Sequence, residues 1–171
     1  MDIDTAPVPV RELHPVQVSL LPRVQVCHLH QVPQHRLAVA DLIHNEFWLP
    51  VPGATEQAMA ERLGRAAHAD TLPLALVALQ GDEPVAAVSL VHSDGQSHPE
   101  WSPWLAGMVV ARECRGRGVG STLVRALLDE ARRLGLPQVY VGTACPGFYT
   151  RLGAVLQQQP RPGFCFLRFD L

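Results

Sequence analysis

Apolar and polar positions change rhythm several times along this chain, and the changes predict most of its elements. From Val24 to Gln31 the two kinds of residue alternate, with Val24, Val26 and Leu29 marking a first strand that has one imperfect register step. From His35 to Phe47 the spacing lengthens to that of a helix: Val39, Leu42, Ile43 and Phe47 share a face, and Pro50 and Pro52 stop the run. Thr55 is placed to cap a second helix, with Met59, Leu63, Ala66 and Ala67 as its apolar stripe and Glu56, Glu61, Arg62 and Arg65 facing water. The runs Pro73 to Leu79 and Val85 to Val91, joined by Gly81-Asp82-Glu83-Pro84, predict an antiparallel hairpin. A polar loop from His92 to Glu100 follows, and then Trp104 to Ala111 is apolar enough for a strand buried on both faces.

The longest helical pattern runs from Gly118 to Leu134. Leu123, Val124, Leu127, Leu128, Ala131 and Leu134 recur at helical spacing, Arg125, Asp129 and Arg132 lie outside, and Gly135 and Pro137 end it. Val139 to Val141 reads as a short strand, Gly147 to Leu152 as a helical turn or two, and Phe164 to Phe169 as the closing strand of a last hairpin. The predicted order is β-α-α-β-β-β-α-β-α-β-β, an α/β (α+β) chain. Residues 1–22 hold Pro7, Pro9, Pro15 and Pro22 without a sustained period, so they read as an extended arm preceding one domain over 23–171.

Composition narrows the functions open to such a chain. At 171 residues, 47% hydrophobic and 18% charged, it suits a single globular domain. The net charge of −2 offers no broad basic field, and the cluster Arg112, Arg115 and Arg117 is too small to release many counterions, so no nucleic-acid partner is expected. No apolar run nears the ~20 residues that span a bilayer, and the N-terminus lacks a basic-then-apolar order; a cytoplasmic protein with no membrane partner is expected. Cys27, Cys114, Cys145 and Cys165 are far apart and read as reduced thiols. A strand would send His28 and His30 to one face and Cys27 to the other, so no metal is expected there.

Candidate chemistry concentrates in Arg115-Gly116-Arg117-Gly118-Val119-Gly120, between a predicted strand and the longest helix. Unbonded amides at a helix N-terminus form an anion site, and glycines let a phosphate come close to them. Val119 and Gly120 replace the Lys and Ser or Thr that a Walker loop needs after its last glycine. Gln138 to Val141 lacks the acidic residue of a dinucleotide fingerprint. The remaining pattern, Arg-x-x-Gly-x-Gly, resembles the acetyl-CoA loop of the GNAT acetyltransferase superfamily. Val109 to Gly120 is similar to that family's central segment and Phe148-Tyr149-Thr150-Arg151-Leu152-Gly153 to its C-terminal signature, at the usual separation.

This resemblance implies a GNAT-like mixed central sheet and an acetyl-CoA-dependent N-acetyltransferase acting on a primary amine of a small molecule or a peptide N-terminus, as a monomer or homodimer. It implies a cofactor-binding loop of Arg115, Gly116, Arg117, Gly118, Val119, Gly120 and Ser121, in which the amides from Arg117 to Ser121 hold the diphosphate. Met108, Val109 and Val110 would pair with the pantetheine arm, the Val110 amide would polarise the thioester carbonyl, and Tyr149 would serve as the acid. Cys145 falls where the family often has an Asn against pantetheine, Cys114 where an aromatic is common and Arg112 where Pro is common. As a free thiol, Cys145 reads as a small buried residue. The predicted strand from Trp104 carries no carboxylate or His, so another segment, or water, must serve as the base; Glu46, Glu100 and His92 are the candidate residues. Trp48, Trp101 and Trp104 flank the expected substrate side. A GNAT-like acyl-CoA-binding sensor without transfer is the alternative.

Overall fold

The computed structural model describes residues 24–94 and 98–171, so the arm expected over residues 1–22 lies outside the described residues. In chain order the elements are β1 (Gln25–His28), α1 (Arg36–Ile43), α2 (Glu56–Gly64), β2 (Leu74–Gln80), β3 (Glu83–Val91), β4 (Trp104–Val110), α3 (Val119–Arg133), β5 (Gln138–Thr143), α4 (Pro146–Thr150), β6 (Val155–Arg161) and β7 (Phe164–Asp170). The predicted order of elements is the observed one. All seven strands share one mixed sheet in the spatial order β1-β2-β3-β4-β5-β7-β6, antiparallel except where β4 runs parallel to β5.

The centre of the sheet is buried on both faces because β2 to β4 are apolar at nearly every position. Leu74, Leu76 and Ala78 of β2 pack with Leu123, Leu127 and Ala131 under α3, while Ala75, Val77 and Leu79 pack with Val39, Ile43 and Leu63 under α1 and α2. Leu74, Leu90, Leu105, Leu123, Leu127 and Leu167 are among the largest fully buried side chains. Each such residue contributes about 1.5–3 kcal/mol by leaving water.

Several boundaries differ from the sequence pattern for local reasons. β1 stops at His28, and Leu29–Gln31 and Pro33–His35 wind into two short 3-10 turns, since Pro33 cannot extend a ladder. His30 therefore leaves the strand that was expected to carry it. α1 is α-helical only to Ile43 and widens into a π-turn over His44–Trp48, closed by the Leu49 amide on the His44 carbonyl at 3.0 Å. Such an expanded turn re-aims side chains. Thr55 caps α2 as expected, its hydroxyl accepting from the Ala58 amide at 3.1 Å, but the helix ends at Gly64 and leaves Ala67 exposed. Gln80 pairs with Glu83, so the hairpin turn is Gly81-Asp82 alone, and the register slips opposite Pro84, which has no amide to donate.

One irregularity in the middle of the sheet positions everything that follows. Ala87 pairs with Val109 and Ser89 with Ala106, so Gly107 and Met108 of β4 together oppose Val88. This is a β-bulge, and it bends the strand that carries it. Gly107 sits at φ 60°, where a side chain is strained. Beyond the bulge β4 parts from β5: the two pair only at Trp104 with Tyr140 and Leu105 with Val141, whereas β5 stays paired with β7 from Gln138 to Thr143. A wedge-shaped split opens between them. Replacing Gly107 by Val should lower stability by about 1–3 kcal/mol, read as a lower urea midpoint at unchanged slope. An unchanged midpoint would mean that the bulge does not hold the strained geometry.

Candidate active site

The split leads into a cleft of about 880 Å³ that runs from the glycine loop, past the free edge of β4, to the π-turn after α1. At its loop end, Gly118 stands at the N-cap of α3 with φ 82° and no side-chain cap. The first turn of a helix has no acceptor of its own for its amides, so those of Val119, Gly120 and Ser121 are left facing outward. Open space lies where a Cβ of Gly116 or Gly118 would be. Gly120 is small for a different reason: a Cβ there would stand 3.0 Å from Met108 Cε and 3.4 Å from both Phe148 Cζ and Val110 Cγ2. It lets α3 close against β4 and α4. Arg115 and Gly116 line the cleft through this loop, but Arg117 is not among its lining residues.

Register determines where the β4 backbone points. The Ala111 amide donates to the Val85 carbonyl at 2.8 Å and Ala86 stands opposite Val110, so Val110 occupies the non-bonded pair of the alternating ladder. Its N–H and C=O therefore face away from β3, into the split. The carbonyl is taken: Arg115 Nε donates to it at 2.8 Å. The same guanidinium donates through Nη2 to Glu46 Oε2 at 2.8 Å. Glu46, which the sequence offers as a base, is thus the outer end of a bridge from the π-turn through Arg115 to the end of β4.

Tyr149 is held in the cleft wall by α4, whose N-cap is Cys145 and whose first residue is Pro146. Its ring is buried, edge-on to Phe148 at 4.8 Å and to Phe169 at 6.5 Å. Burial first, and electrostatic repulsion from Cys145 second, push its pKa up to about 12. Cys145 lines the same wall and is exposed, not the buried thiol its composition suggested, and its amide donates to Thr143 Oγ1 at 2.9 Å. Met108, Val109 and Val110 line the cleft along β4.

Other sequence candidates fall elsewhere. Glu100 is exposed outside the cleft, beside His98 Nδ1 at 3.2 Å; its own backbone and that histidine hold its carboxyl below the usual carboxylate range. His92 is exposed and does not line the cleft. Trp48 and Trp104 do line it, while Trp101 backs the wall, stacked on Tyr140 at 5.0 Å. His28 meets the Glu130 carboxylate at 3.3 Å, and among the described residues no group of three or more His, Cys, Asp or Glu is placed to hold a metal ion. Sequence reasoning passed over Asp94, Phe164 and Phe166, all of which line the cleft. The alternation of Phe164 and Phe166 with the buried Cys165 and Leu167 was their available signal. No described helix is long and apolar enough to cross a membrane.

A mixed sheet split between two parallel strands, with an amide-lined helix terminus at the mouth of the split, leaves an extended cleft with an anion site at one end. The GNAT acetyltransferase family model matches residues 40–154, and the chain belongs to that family. No curated protein sequence matches it significantly. Among solved structures, an aminoglycoside 6'-N-acetyltransferase complexed with coenzyme A superimposes with a TM-score of 0.69 at 16% identity, over 85% of this chain and 96% of that one. The structure of yncA from Salmonella typhimurium with its cofactor acetyl-CoA gives 0.67 at 16% identity, over 86% and 93%. The GNAT domain of S. lividans PAT gives 0.65 at 20% identity, over 86% and 90%. These likenesses are of fold.

The Glu46–Arg115 pair is partly exposed on both sides, which limits its worth. A double-mutant cycle with Glu46→Gln and Arg115→Met should give a coupling of about 0.2–1 kcal/mol that shrinks as salt is added. A coupling well above this range and indifferent to salt would contradict the exposed geometry.

Proposed function

We propose that this chain transfers the acetyl group of acetyl-CoA directly to a primary amine, on a small molecule or a peptide N-terminus, with both substrates bound together. The observation that carries the proposal is the Val110 amide directed into the same split that Tyr149 lines.

The residues present fit coenzyme A. The outward amides of Val119, Gly120 and Ser121 suit a diphosphate, with α3's positive N-terminal dipole behind them. The free edge of β4 from Ala106 to Val110 offers backbone groups to a pantetheine arm lying as an added strand. Exposed Cys145 borders that path in place of an amide side chain. Bound acetyl-CoA supplies a thioester-activated acetyl group.

The protein's part is to place donors where charge develops. The Val110 N–H donates to the carbonyl oxygen as an amine attacks; such a preorganised donor is worth about 10²–10³ in kcat. Tyr149 Oη donates toward the departing sulfur. A phenol near 12 is a weaker acid than an ordinary thiol at ~8.5, so Tyr149 acts chiefly through its hydrogen bond, and the proton that ends on sulfur originates on the attacking nitrogen. Arg115, anchored by Glu46, fixes the end of β4 and with it the direction of the Val110 amide.

Calorimetric binding of coenzyme A, followed by thiol release from acetyl-CoA over a panel of amines, tests this reading. Tyr149→Phe should lower kcat about 10²-fold while the acetyl-CoA KM stays within about two-fold. Equal turnover would remove Tyr149 from the chemistry. Tight coenzyme A binding with no thiol release for any amine would replace the transferase by a binding module. Because the phenol stays protonated up to about pH 12, activity should show no alkaline fall assignable to Tyr149 between pH 8 and 10. A fall in that window present in the wild type and lost in Tyr149→Phe would contradict the assignment.

A further inference from the structure

Strand alternation divides the cleft into two chemically distinct halves. Val139 and Val141 of β5 and Cys165 and Leu167 of β7 face the α3 core, so Tyr140, Gly142, Phe164 and Phe166 face the opposite side of the sheet. There Trp104, Phe164 and Phe166 form an aromatic wall, faced by Phe47 and Trp48 from the π-turn. The wall is fixed by its own packing: Trp104 meets Phe166 edge-on at 5.7 Å, and Phe164 meets Phe166 at 5.4 Å and 90°. A Cβ on Gly142 would stand 3.0 Å from Phe164 Cζ and 3.2 Å from Phe166 Cε1, so the bare β5 backbone makes room for the rings.

Charge in this half is sparse. Two carboxylates line the cleft, Glu46 and Asp94, and Arg115 neutralises the first at 2.8 Å. Asp94, three residues past the end of β3, forms no ion pair with any described residue; the opposite charge that acts on it is that of Arg62 on α2. Although it is exposed at the rim, crowding by the chain around it raises its carboxyl above the ordinary carboxylate range, against the pull of Arg62. One open negative charge beside aromatic surface suits a single cation carried on an apolar body. A polycation would bring further ammonium groups into a cleft with no second open carboxylate, and attraction to the rings alone repays only part of their desolvation.

From this we infer that the acceptor is a monoamine with an aromatic or similarly bulky apolar body, its ammonium held by Asp94 before deprotonation and its ring lodged among Trp48, Trp104 and Phe166. The inference rests on the acetyl-transfer reading and deepens it. Rings flanking the cation add attraction of their own.

Tryptamine, spermidine and kanamycin, offered separately with acetyl-CoA, test it. Thiol release should give a kcat/KM for tryptamine at least ~10-fold above either polycation, the scale of one charge-assisted contact. Asp94→Asn should raise the tryptamine KM about 10-fold and leave the acetyl-CoA KM unmoved. Tryptophol, the uncharged alcohol, should compete about 10-fold more weakly than tryptamine binds in the wild type, and comparably in Asp94→Asn, a readout independent of turnover. Trp48→Ala should weaken tryptamine and tryptophol alike. Equal or better use of spermidine or kanamycin, or an Asp94→Asn variant indistinguishable from wild type, would overturn the acceptor class while leaving acetyl transfer intact. Coenzyme A binding without transfer to any of the three, nor to a wider amine panel, would overturn the underlying reading as well.

Discussion

Two neighbouring parallel strands can share a ladder only while their axes stay within hydrogen-bond reach, and in this sheet that condition lapses after Leu105 and Val141. The extra residue in β4 opposite Val88, with Gly107 at φ 60°, bends the strand away from β5 while its pairing with β3 resumes at Val109. A strand interior that would otherwise be closed by a neighbour is thereby left with an open edge. Buried backbone amides are seldom left unpaired, so an edge opened in the middle of a sheet is a standing place for an extended ligand. The rest of the site is arranged around that edge.

The two ends of the cleft divide the work. At one end the start of α3 offers amides that the helix itself cannot use, and Gly120 permits the helix to sit against Met108 and Phe148, so the loop and the edge of β4 form one surface. At the other end the π-turn after α1 directs Glu46, Phe47 and Trp48 into the cleft. Arg115 joins the ends, donating to Val110 and to Glu46 at 2.8 Å each. The carboxylate offered as a base is thereby tied into an ion pair with Arg115, while Asp94 lines the cleft without an ion pair among the described residues.

Much of this was legible in the residues. The stripe of α3, the Thr55 cap, the order of elements along the chain and the glycine loop follow from periodicities and local chemistry that act within a few residues, and the structure keeps them. What escaped depends on residues distant in sequence. Nothing near Glu46 announces Arg115, 69 positions away. Gly107 looks like any glycine in an apolar strand until β3 supplies the register that makes it a bulge. The exposure of Cys145 reflects the split beside it rather than its own type, and Glu100 lies outside because the 98–101 segment folds onto Tyr140, not over the cleft. Phe164 and Phe166 carried a visible alternation, but that their face lines the cleft follows only from the crossover from β4 to β5.

The claim most exposed to a direct test is that open main-chain amides along the β4 edge and at the mouth of the split receive one extended ligand. Amide chemical shifts followed by two-dimensional NMR during titration with coenzyme A report on each of them. The account predicts that Val110, Val119, Gly120 and Ser121 shift together along one saturation curve, with the amides of β1 unmoved. Saturation with those four amides unperturbed, or with the largest shifts gathered away from the split, would contradict it.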